Sequence, residues 1–171
     1  MARRVFPMRI ALLSCGPSLP RWEWVNRSDY AVVVGVNRAV ARYSCDWWSA
    51  GDAECFTAVR PIGRPHLWTH AATLYRIGRE HPTRATEHEA AVYHRCERKP
   101  WTIYSATAAL MLALEVKATR IDCFGVDMAG TQDWDGSERG CRDESRWSRE
   151  RAAWGKAVDL LAAEGITVAR L

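Results

Sequence analysis

The stretch MRIALLSCGPSL, residues 8–19, decides the fold. It begins as a short apolar run, Ile10 to Leu13, and breaks at a Cys-Gly-Pro-Ser turn, residues 15–18. An unbroken apolar run of this length is typical of a strand buried on both faces in a parallel sheet. A glycine in the following turn lets a ligand approach the backbone closely, and N–H groups beyond the turn can receive an anion. The stretch therefore predicts a nucleotide or phosphate site at Gly16, Pro17 and Ser18.

Two further stretches in the first third of the chain have the same form. Residues 31–36, AVVVGV, are apolar and β-branched and end at Asn37. Residues 45–49, CDWWS, predict a third strand that is followed by Gly51 and Asp52. Because ligands of an open parallel sheet bind beyond the carboxyl ends of its strands, Asn37 and Asp52 are candidate binding residues as well.

The second half of the chain continues the alternation of helices and strands. Residues 106–117 predict a buried helix with Ser105 as its N-cap, and residues 120–124 predict a strand that ends at a Gly-Val-Asp run, residues 125–127. A helix over 145–164, capped by Asp143 or Ser145, precedes a last strand over 166–171. We expect an α/β fold: a single Rossmann-like domain, with a mostly parallel sheet and helices on both faces.

Residues 56–99 are the part of the chain with the weakest pattern. They hold all five histidines, are otherwise polar and basic, and contain one strand candidate, His66–Thr69. We expect a single nucleotide-binding domain over residues 1–171, in which 56–99 form a lid or a small insertion. The histidine spacing has no metal-site signature, so no metal ligands are assigned.

Composition limits the classes of partner. The net charge of +4 is mild; it suits an anionic ligand, leaves nucleic acid open as a partner, and does not restrict oligomer formation. No two cysteines are spaced CxxC, and Cys15, Cys45 and Cys123 lie in or beside apolar strands, which predicts buried thiols and a cytoplasmic location. We expect no membrane span, since no apolar run is long enough.

Several motifs occur together and in a fixed order. They are the strand that leads into Gly-Pro-Ser-Leu, the second strand that ends in Asn37, and the Tyr-Ser-Ala helix start at 104–106 that feeds the Gly-Val-Asp strand end at 125–127. In this combination the chain resembles the bacterial sialyltransferases of the single-Rossmann type, and the related phage and archaeal proteins of the flagellin-modifying and pterin-pyrophosphokinase-like groups. The resemblance covers residues 8–52 and 101–127.

The resemblance implies a site for a CMP-sugar donor. In those sialyltransferases the Gly-Pro-Ser-Leu turn holds the phosphate and ribose of CMP, and the Asn and Ser of the later motifs also contact CMP. Carried over, this role falls on residues that match the motifs: Gly16, Pro17, Ser18, Asn37, Ser105 and Gly125. The implied function is that of a nucleotide-sugar-dependent glycosyltransferase, with the sugar nucleotide as substrate and no firmly assigned cofactor.

The residue that handles the acceptor proton does not carry over. The family takes its general base from a His after the Gly-x-Asp strand, and this chain has no His after His94; Cys15 also replaces the usual Asn before the glycine. We therefore expect Asp127, at the strand end, to act on the acceptor, and we expect Arg151 either to extend along the last helix or to reach the leaving phosphate.

Two alternatives remain open at the level of sequence. An ATP- and Mg²⁺-dependent pyrophosphokinase-type transferase requires Asp127, Asp133 and Asp135 to converge on a metal ion; otherwise the last two are solvated loop acids. A non-catalytic nucleotide-binding module requires no aligned acid or base. The arginines at 142, 146 and 149 are interleaved with acidic residues and are expected to lie in solvent.

Overall fold

One all-parallel sheet organises the chain. The structure is a computed structural model that describes residues 8–80, 100–139 and 142–171. In those residues the sheet has six strands in the order β4-β3-β2-β1-β5-β6. The strands are β1 (Arg9–Leu13), β2 (Val32–Val36), β3 (Trp47–Ser49), β4 (His66–Trp68), β5 (Arg120–Phe124) and β6 (Thr167–Arg170). The expected α/β, Rossmann-like class is confirmed.

Helices connect the strands. They are α1 (Ala53–Ala58), α2 (Ala71–Glu80), α3 (Ser105–Leu110), α4 (Leu112–Glu115) and α5 (Glu144–Ala163), with 3-10 turns at Leu19–Trp24, Arg27–Asp29, Asn37–Ala41 and Pro100–Ile103. The expectation of a single helix over 106–117 is wrong, because the backbone hydrogen bonds at Met111 span three residues instead of four. Met111 N bonds to the Ala108 carbonyl, three residues back, and Leu114 N bonds to the Met111 carbonyl in the same way.

The caps of two helices differ in how well the sequence predicted them. Tyr104, in an extended conformation, is the N-cap of α3, and Ser105 is its first helical residue, so the expected Ser105 cap is wrong. Asp143 caps α5, since its carboxylate accepts a hydrogen bond from Arg146 N at 2.7 Å. Gly165, with φ of 76°, follows the end of α5 and turns the chain into β6.

The sheet is buried on both faces, which explains its unbroken apolar strands. Alternate residues of β1 point to opposite faces, as strand geometry requires. Ile10 and Leu12 pack in a cluster with residues of α3, α4 and α5, among them Leu110, Leu112, Trp154 and Leu161. Ala11 and Leu13 pack in a second cluster with residues of the 3-10 turns and α1, among them Leu19, Trp22, Val40 and Phe56.

The first part of the weakly patterned segment belongs to the sheet. β4 pairs in parallel with β3, as expected for the strand candidate at His66, and α2 follows it. Residues 56–80 therefore include a strand and a helix of the main domain. The expectation of a lid or insertion rests otherwise on residues 81–99, which lie outside the described residues. No helix in the described ranges is long and apolar enough to cross a membrane.

A buried carboxylate links neighbouring strands of the sheet through hydrogen bonds. Asp122 of β5 is fully buried and accepts hydrogen bonds from Arg9 at 2.6 Å, Arg120 at 2.8 Å and the Tyr30 hydroxyl at 3.0 Å. Burial by itself raises the pKa of Asp122, but the three hydrogen bonds outweigh it and hold that pKa below its ordinary value. The cluster links β1, β5 and the segment before β2.

Candidate functional site

A cavity lies where the strand order reverses, between β1 and β5. The chain winds from β1 through β2 and β3 to β4 on one side, and β5 and β6 lie on the other side. This is the position at which an open α/β sheet binds ligands, beyond the carboxyl ends of its strands. The cavity measures about 240 Å³. The structure brings six residues singled out from the sequence to its lining: Gly16, Asn37, Asp52, Ser105, Gly125 and Asp127.

The two strand ends at this cavity remain hydrogen-bonded beyond the sheet. Ser14 N donates to the Phe124 carbonyl and Gly16 N to the Gly125 carbonyl, each at 2.8 Å. A Cβ atom on Gly16 would lie 2.1 Å from Asp127 Oδ2 and 2.6 Å from the Gly125 oxygen. Glycine is therefore required at position 16 by the close approach of the opposing strand end.

Asp127 closes the Gly-Pro-Ser turn. Its Oδ2 accepts hydrogen bonds from Ser18 N at 3.0 Å and Ser18 Oγ at 3.1 Å. Gly16 N is bonded to Gly125, Leu19 N to the Gly16 carbonyl at 3.0 Å, and proline has no N–H. The N–H groups of Gly16, Ser18 and Leu19 are therefore bonded within the protein. A carboxylate of the protein itself takes the position expected for an anion.

The turn thus shapes the wall of the cavity and does not supply backbone hydrogen-bond donors to a ligand. Pro17 and Ser18 are absent from the cavity lining, whereas Gly16 lines it. Ser18 acts through Asp127 and through Gly125, whose N–H donates to Ser18 Oγ at 3.1 Å.

Asn37 brings an amide to the cavity at the end of β2. Its φ of 51° is in the left-handed region, where asparagine is among the residues found most often after glycine. Its backbone carbonyl accepts a hydrogen bond from Trp48 Nε1 at 3.0 Å, which fixes the bend. Its side-chain Oδ1 is buried and has no hydrogen-bond partner within the described part of the chain. A buried amide oxygen without a partner is costly, so Asn37 is well placed to bind a ligand donor.

Ser105 joins the third strand end to α3. Its Oγ accepts a hydrogen bond from Gly51 N at 3.0 Å, and its backbone carbonyl accepts one from Ser49 Oγ at 2.9 Å. The hydroxyl hydrogen of Ser105 is left for a ligand acceptor, because the oxygen is the partner of Gly51. Ser105, Ile103 and Tyr104 all line the cavity.

Two arginines close to the start of α5, Arg142 and Arg146, line the same cavity. The expectation that Arg142 lies in solvent is wrong, because its side chain is only 18% exposed and pairs with Asp133 at 2.5 Å. The side chain of Arg146 is 39% exposed, as expected for a partly solvated residue, and it also lines the cavity. Arg151 does not reach the cavity lining. It donates to the Met128 carbonyl at 3.0 Å and pairs with Glu144.

The polar loop after β5 folds back onto these arginines. Asp133 is buried and pairs with Arg38 at 3.1 Å and Arg139 at 3.0 Å, in addition to Arg142. Asp135 also pairs with Arg38 and accepts hydrogen bonds from Ser137. The hydrogen bonds from Ser137 are the main cause that lowers the pKa of Asp135 to about 2. The expectation of Asp133 as a solvated acid is wrong, because the arginines enclose it.

Glu150 is a cavity carboxylate that the sequence reading missed. It lines the cavity beside Trp147, is buried, and lies 3.8 Å from Arg146 Nε. Burial raises its pKa, although Arg146 and Arg142 act in the opposite direction. The signal was its position three residues after Trp147 and four before Trp154, which places Glu150 on the apolar side of α5.

The cysteine at the turn is a buried thiol. Cys15, Cys45 and Cys123 are free and buried, as expected. Cys15 Sγ donates to the Val36 carbonyl at 3.3 Å, and burial raises its pKa to about 11, so it remains a thiol near neutral pH.

The carboxylates expected at a metal site are occupied by protein partners. Asp127 is bonded to Ser18, and Asp133 and Asp135 to arginines. Within residues 8–80, 100–139 and 142–171, no group of three His, Cys, Asp or Glu side chains is placed to hold a metal ion. This arrangement does not favour the convergence that a pyrophosphokinase-type site requires.

Comparison with known proteins adds no assignment. The chain matches no protein-family model, and no curated protein matches it significantly. The function is therefore argued from the cavity.

Proposed function

We propose that the cavity between β1 and β5 binds a nucleotide, and that the protein is a nucleotide-sugar-dependent glycosyltransferase with a CMP-sugar-like donor. One observation carries the proposal. Asn37, Ser105 and two arginines line one cavity at the reversal of the strand order. The set supplies hydrogen-bond donors and acceptors for a base or ribose and positive charge for phosphate.

The nucleoside part of the ligand is assigned to Asn37 and Ser105. The buried Oδ1 of Asn37 accepts from a hydroxyl or amino group, and the Ser105 hydroxyl donates. Gly16 and Gly125 line the cavity, and the space that their side chains would take is filled by Asp127, Ser14 and Leu19.

The phosphate is assigned to Arg142 and Arg146. This replaces the expectation of the turn N–H groups and Arg151, because the turn N–H groups are bonded to the protein and Arg151 is absent from the cavity lining, whereas Arg142 and Arg146 line it. Guanidinium groups bind phosphate oxygens with two parallel N–H donors. They also stabilise the negative charge that develops on the leaving phosphate during transfer.

The transfer step needs one proton acceptor. The acceptor hydroxyl oxygen forms a bond to the anomeric carbon of the sugar, and the bond from that carbon to the phosphate oxygen breaks. The phosphate leaves with the bonding electron pair, and the hydroxyl proton moves to a base. We assign the base to Glu150, whose burial raises its pKa towards the range useful for acid–base catalysis. Asp127 is assigned the role of holding the Gly-Pro-Ser turn through its hydrogen bonds with Ser18.

Isothermal titration with CMP, CDP, UDP, GDP and ATP, each with and without Mg²⁺, tests the proposal. We expect the cytidine nucleotides to bind without Mg²⁺, and Asn37→Ala to weaken that binding about tenfold or more. Asn26→Ala is the matched control, because Asn26 is exposed and only caps a 3-10 turn. Absence of nucleotide binding in the wild-type protein would contradict the proposal. ATP binding that depends on Mg²⁺ would favour the pyrophosphokinase alternative.

Activity separates a transferase from a binding module. We expect slow release of CMP from a CMP-sugar with water as the acceptor, and loss of this release in Glu150→Gln. Nucleotide binding without any donor cleavage would indicate a non-catalytic nucleotide-binding module.

A further inference from the structure

A second cavity adjoins the first. It measures about 430 Å³ and is bounded by α1, by the loop after β5 and by the start of α5. The two cavities share five lining residues: Cys15, Asn37, Asp52, Arg142 and Arg146. Because these residues face both spaces, ligands in the two cavities would meet at Arg142 and Arg146. That is the geometry required of two substrates in a group transfer.

The loop side of the second cavity is rich in arginine. Arg38, Arg139, Arg142 and Arg146 all line it. Asp133 pairs with Arg38, Arg139 and Arg142, Asp135 with Arg38, and Glu150 with Arg146. Asp133 is the common partner of three of them and lies buried at the centre. Several guanidinium groups at one side of a cavity offer donors to an oxyanion.

Arg139 has donors that the protein itself does not use in the described ranges. Its Nε is bonded to Asp133 at 3.0 Å, and its two terminal nitrogens make no other hydrogen bond there. Its side chain is 36% exposed, so these nitrogens are within reach of a ligand. A terminal pair of guanidinium donors fits the two oxygens of a carboxylate or a phosphate.

The α1 side of the cavity has a different character. Glu54 is paired with Arg76 at 2.5 Å, and Asp52, which is also exposed, has no ion pair among the residues that the structure describes. A carboxylate accepts hydrogen bonds from hydroxyl groups. Ala58 and Val59 add a small apolar surface.

We infer that the second cavity binds the second substrate of the transfer, and that this substrate is an acidic carbohydrate: its carboxylate or phosphate binds the arginine side and its hydroxyls bind Asp52. The inference rests on the proposed function for the role of the ligand as acceptor. The binding of the acidic sugar itself can be measured without nucleotide.

Titration with three sugars tests the binding. Glucuronic acid supplies the carboxylate, glucose 6-phosphate the phosphate, and glucose is the neutral control. We expect at least one acidic sugar to bind and glucose not to bind. Binding of only one acid supports the inference and identifies the anion; equal binding of glucose, or no binding of either acid, overturns it.

Substitution locates the bound sugar. We expect Arg139→Gln to weaken binding of the acidic sugar about tenfold, because one charge-assisted contact is lost. We expect the same variant to leave CMP binding unchanged. Arg149→Gln is the control of equal charge, since Arg149 lies exposed on α5 and, among the described residues, bonds to Ser145. Equal weakening by both variants would mean attraction by net charge alone and would overturn the inference.

Two further measurements keep the outcomes distinct. If Arg139→Gln fails to fold, Arg139→Lys keeps the charge without the planar pair of donors, and a weakening of about threefold or more supports the site. If CMP displaces the acidic sugar completely, the two cavities hold one ligand and the inference is wrong. If Asn37→Ala loses CMP binding but still binds the acidic sugar, the two ligands occupy two sites. A wild-type protein that binds the sugar but no nucleotide contradicts the proposed function and, with it, the acceptor role, while the sugar site remains.

Discussion

Ser18 and Asp127, 109 residues apart in the sequence, form a double hydrogen bond across the two strand ends at the cavity. The backbone N–H and the hydroxyl of Ser18 both donate to the same carboxylate oxygen, at 3.0 and 3.1 Å. The same hydroxyl accepts from Gly125 N. One small side chain therefore joins the ends of β1 and β5, and its carboxylate partner takes the place that an external anion would occupy.

Ser18→Ala should loosen this junction. The substitution removes the hydroxyl contact to Asp127 and leaves Gly125 N without its acceptor. We expect a loss of roughly 1–3 kcal/mol in the free energy of unfolding, measured by urea denaturation. Ser28→Ala, at an exposed serine in a 3-10 turn, is the control and should be near neutral. Equal stability of the two variants would argue against the junction.

Gly16→Ala tests the close approach of the strand ends. A Cβ atom at this position would collide with Asp127 Oδ2 at 2.1 Å and the Gly125 oxygen at 2.6 Å. We expect a loss of about 1–3 kcal/mol in the free energy of unfolding, since the junction must open to accept it. Gly155→Ala in α5 meets nothing within 4 Å and should raise stability by up to about 1 kcal/mol, because alanine favours helix. A neutral Gly16→Ala would be inconsistent with this geometry.

The assignment of the phosphate predicts different effects for two arginines. Arg142→Gln should weaken nucleotide binding about tenfold or more, because a guanidinium donor to phosphate is lost. Arg151→Gln should leave binding within about twofold, since Arg151 holds Met128 and Glu144 instead. Isothermal titration at low and at physiological salt measures both. The reverse order would restore Arg151 as the phosphate ligand.

Glu150→Gln should change how stability depends on pH. Because burial raises the pKa of Glu150 in the folded state, the folded protein holds this proton more tightly than the unfolded chain. Wild-type stability therefore falls as pH rises from about 4.3, the unfolded value, through the folded pKa. The glutamine variant lacks this decline and should equal or exceed wild-type stability at pH 8. Parallel denaturation profiles of the two proteins from pH 4 to 8 would contradict the raised pKa.

Asp122→Asn should have the opposite sign. The pKa of Asp122 is lowered in the folded state, so its contribution is present above about 3.9, the unfolded value, and is lost as pH falls through the folded pKa. We expect the variant to lose about 1–3 kcal/mol at pH 7 and to show a weaker acid dependence. Thermal denaturation between pH 7 and 2 measures this, and an acid limb unchanged from wild type would rule it out.

The sequence predicted the sheet well because strand signals are local. The runs at residues 10–13, 32–36 and 120–124 are apolar without interruption, which reports burial on both faces wherever the rest of the chain lies. The strand ends follow from the same runs, so Gly16, Asn37 and Gly125 could be placed at one edge from sequence order. The break at Met111 and the cap of α3 were misplaced, since both depend on local hydrogen bonds, and the helices α1 and α2 were not predicted.

What tertiary structure alone decided is which polar groups are already bonded. Arg142 and Asp133 read as solvated residues in a polar run, yet they form a buried cluster with Arg38, which is 95 residues from Asp133. The N–H groups of the Gly-Pro-Ser turn read as free, yet Asp127 binds one of them. Periodicity reports apolar burial along a segment, but a charge or a hydrogen-bond donor is satisfied by whichever distant group the fold brings near it. The sequence by itself thus determined which strand ends line the cavity, and the tertiary structure decided which of their polar groups are bonded within the described part of the protein.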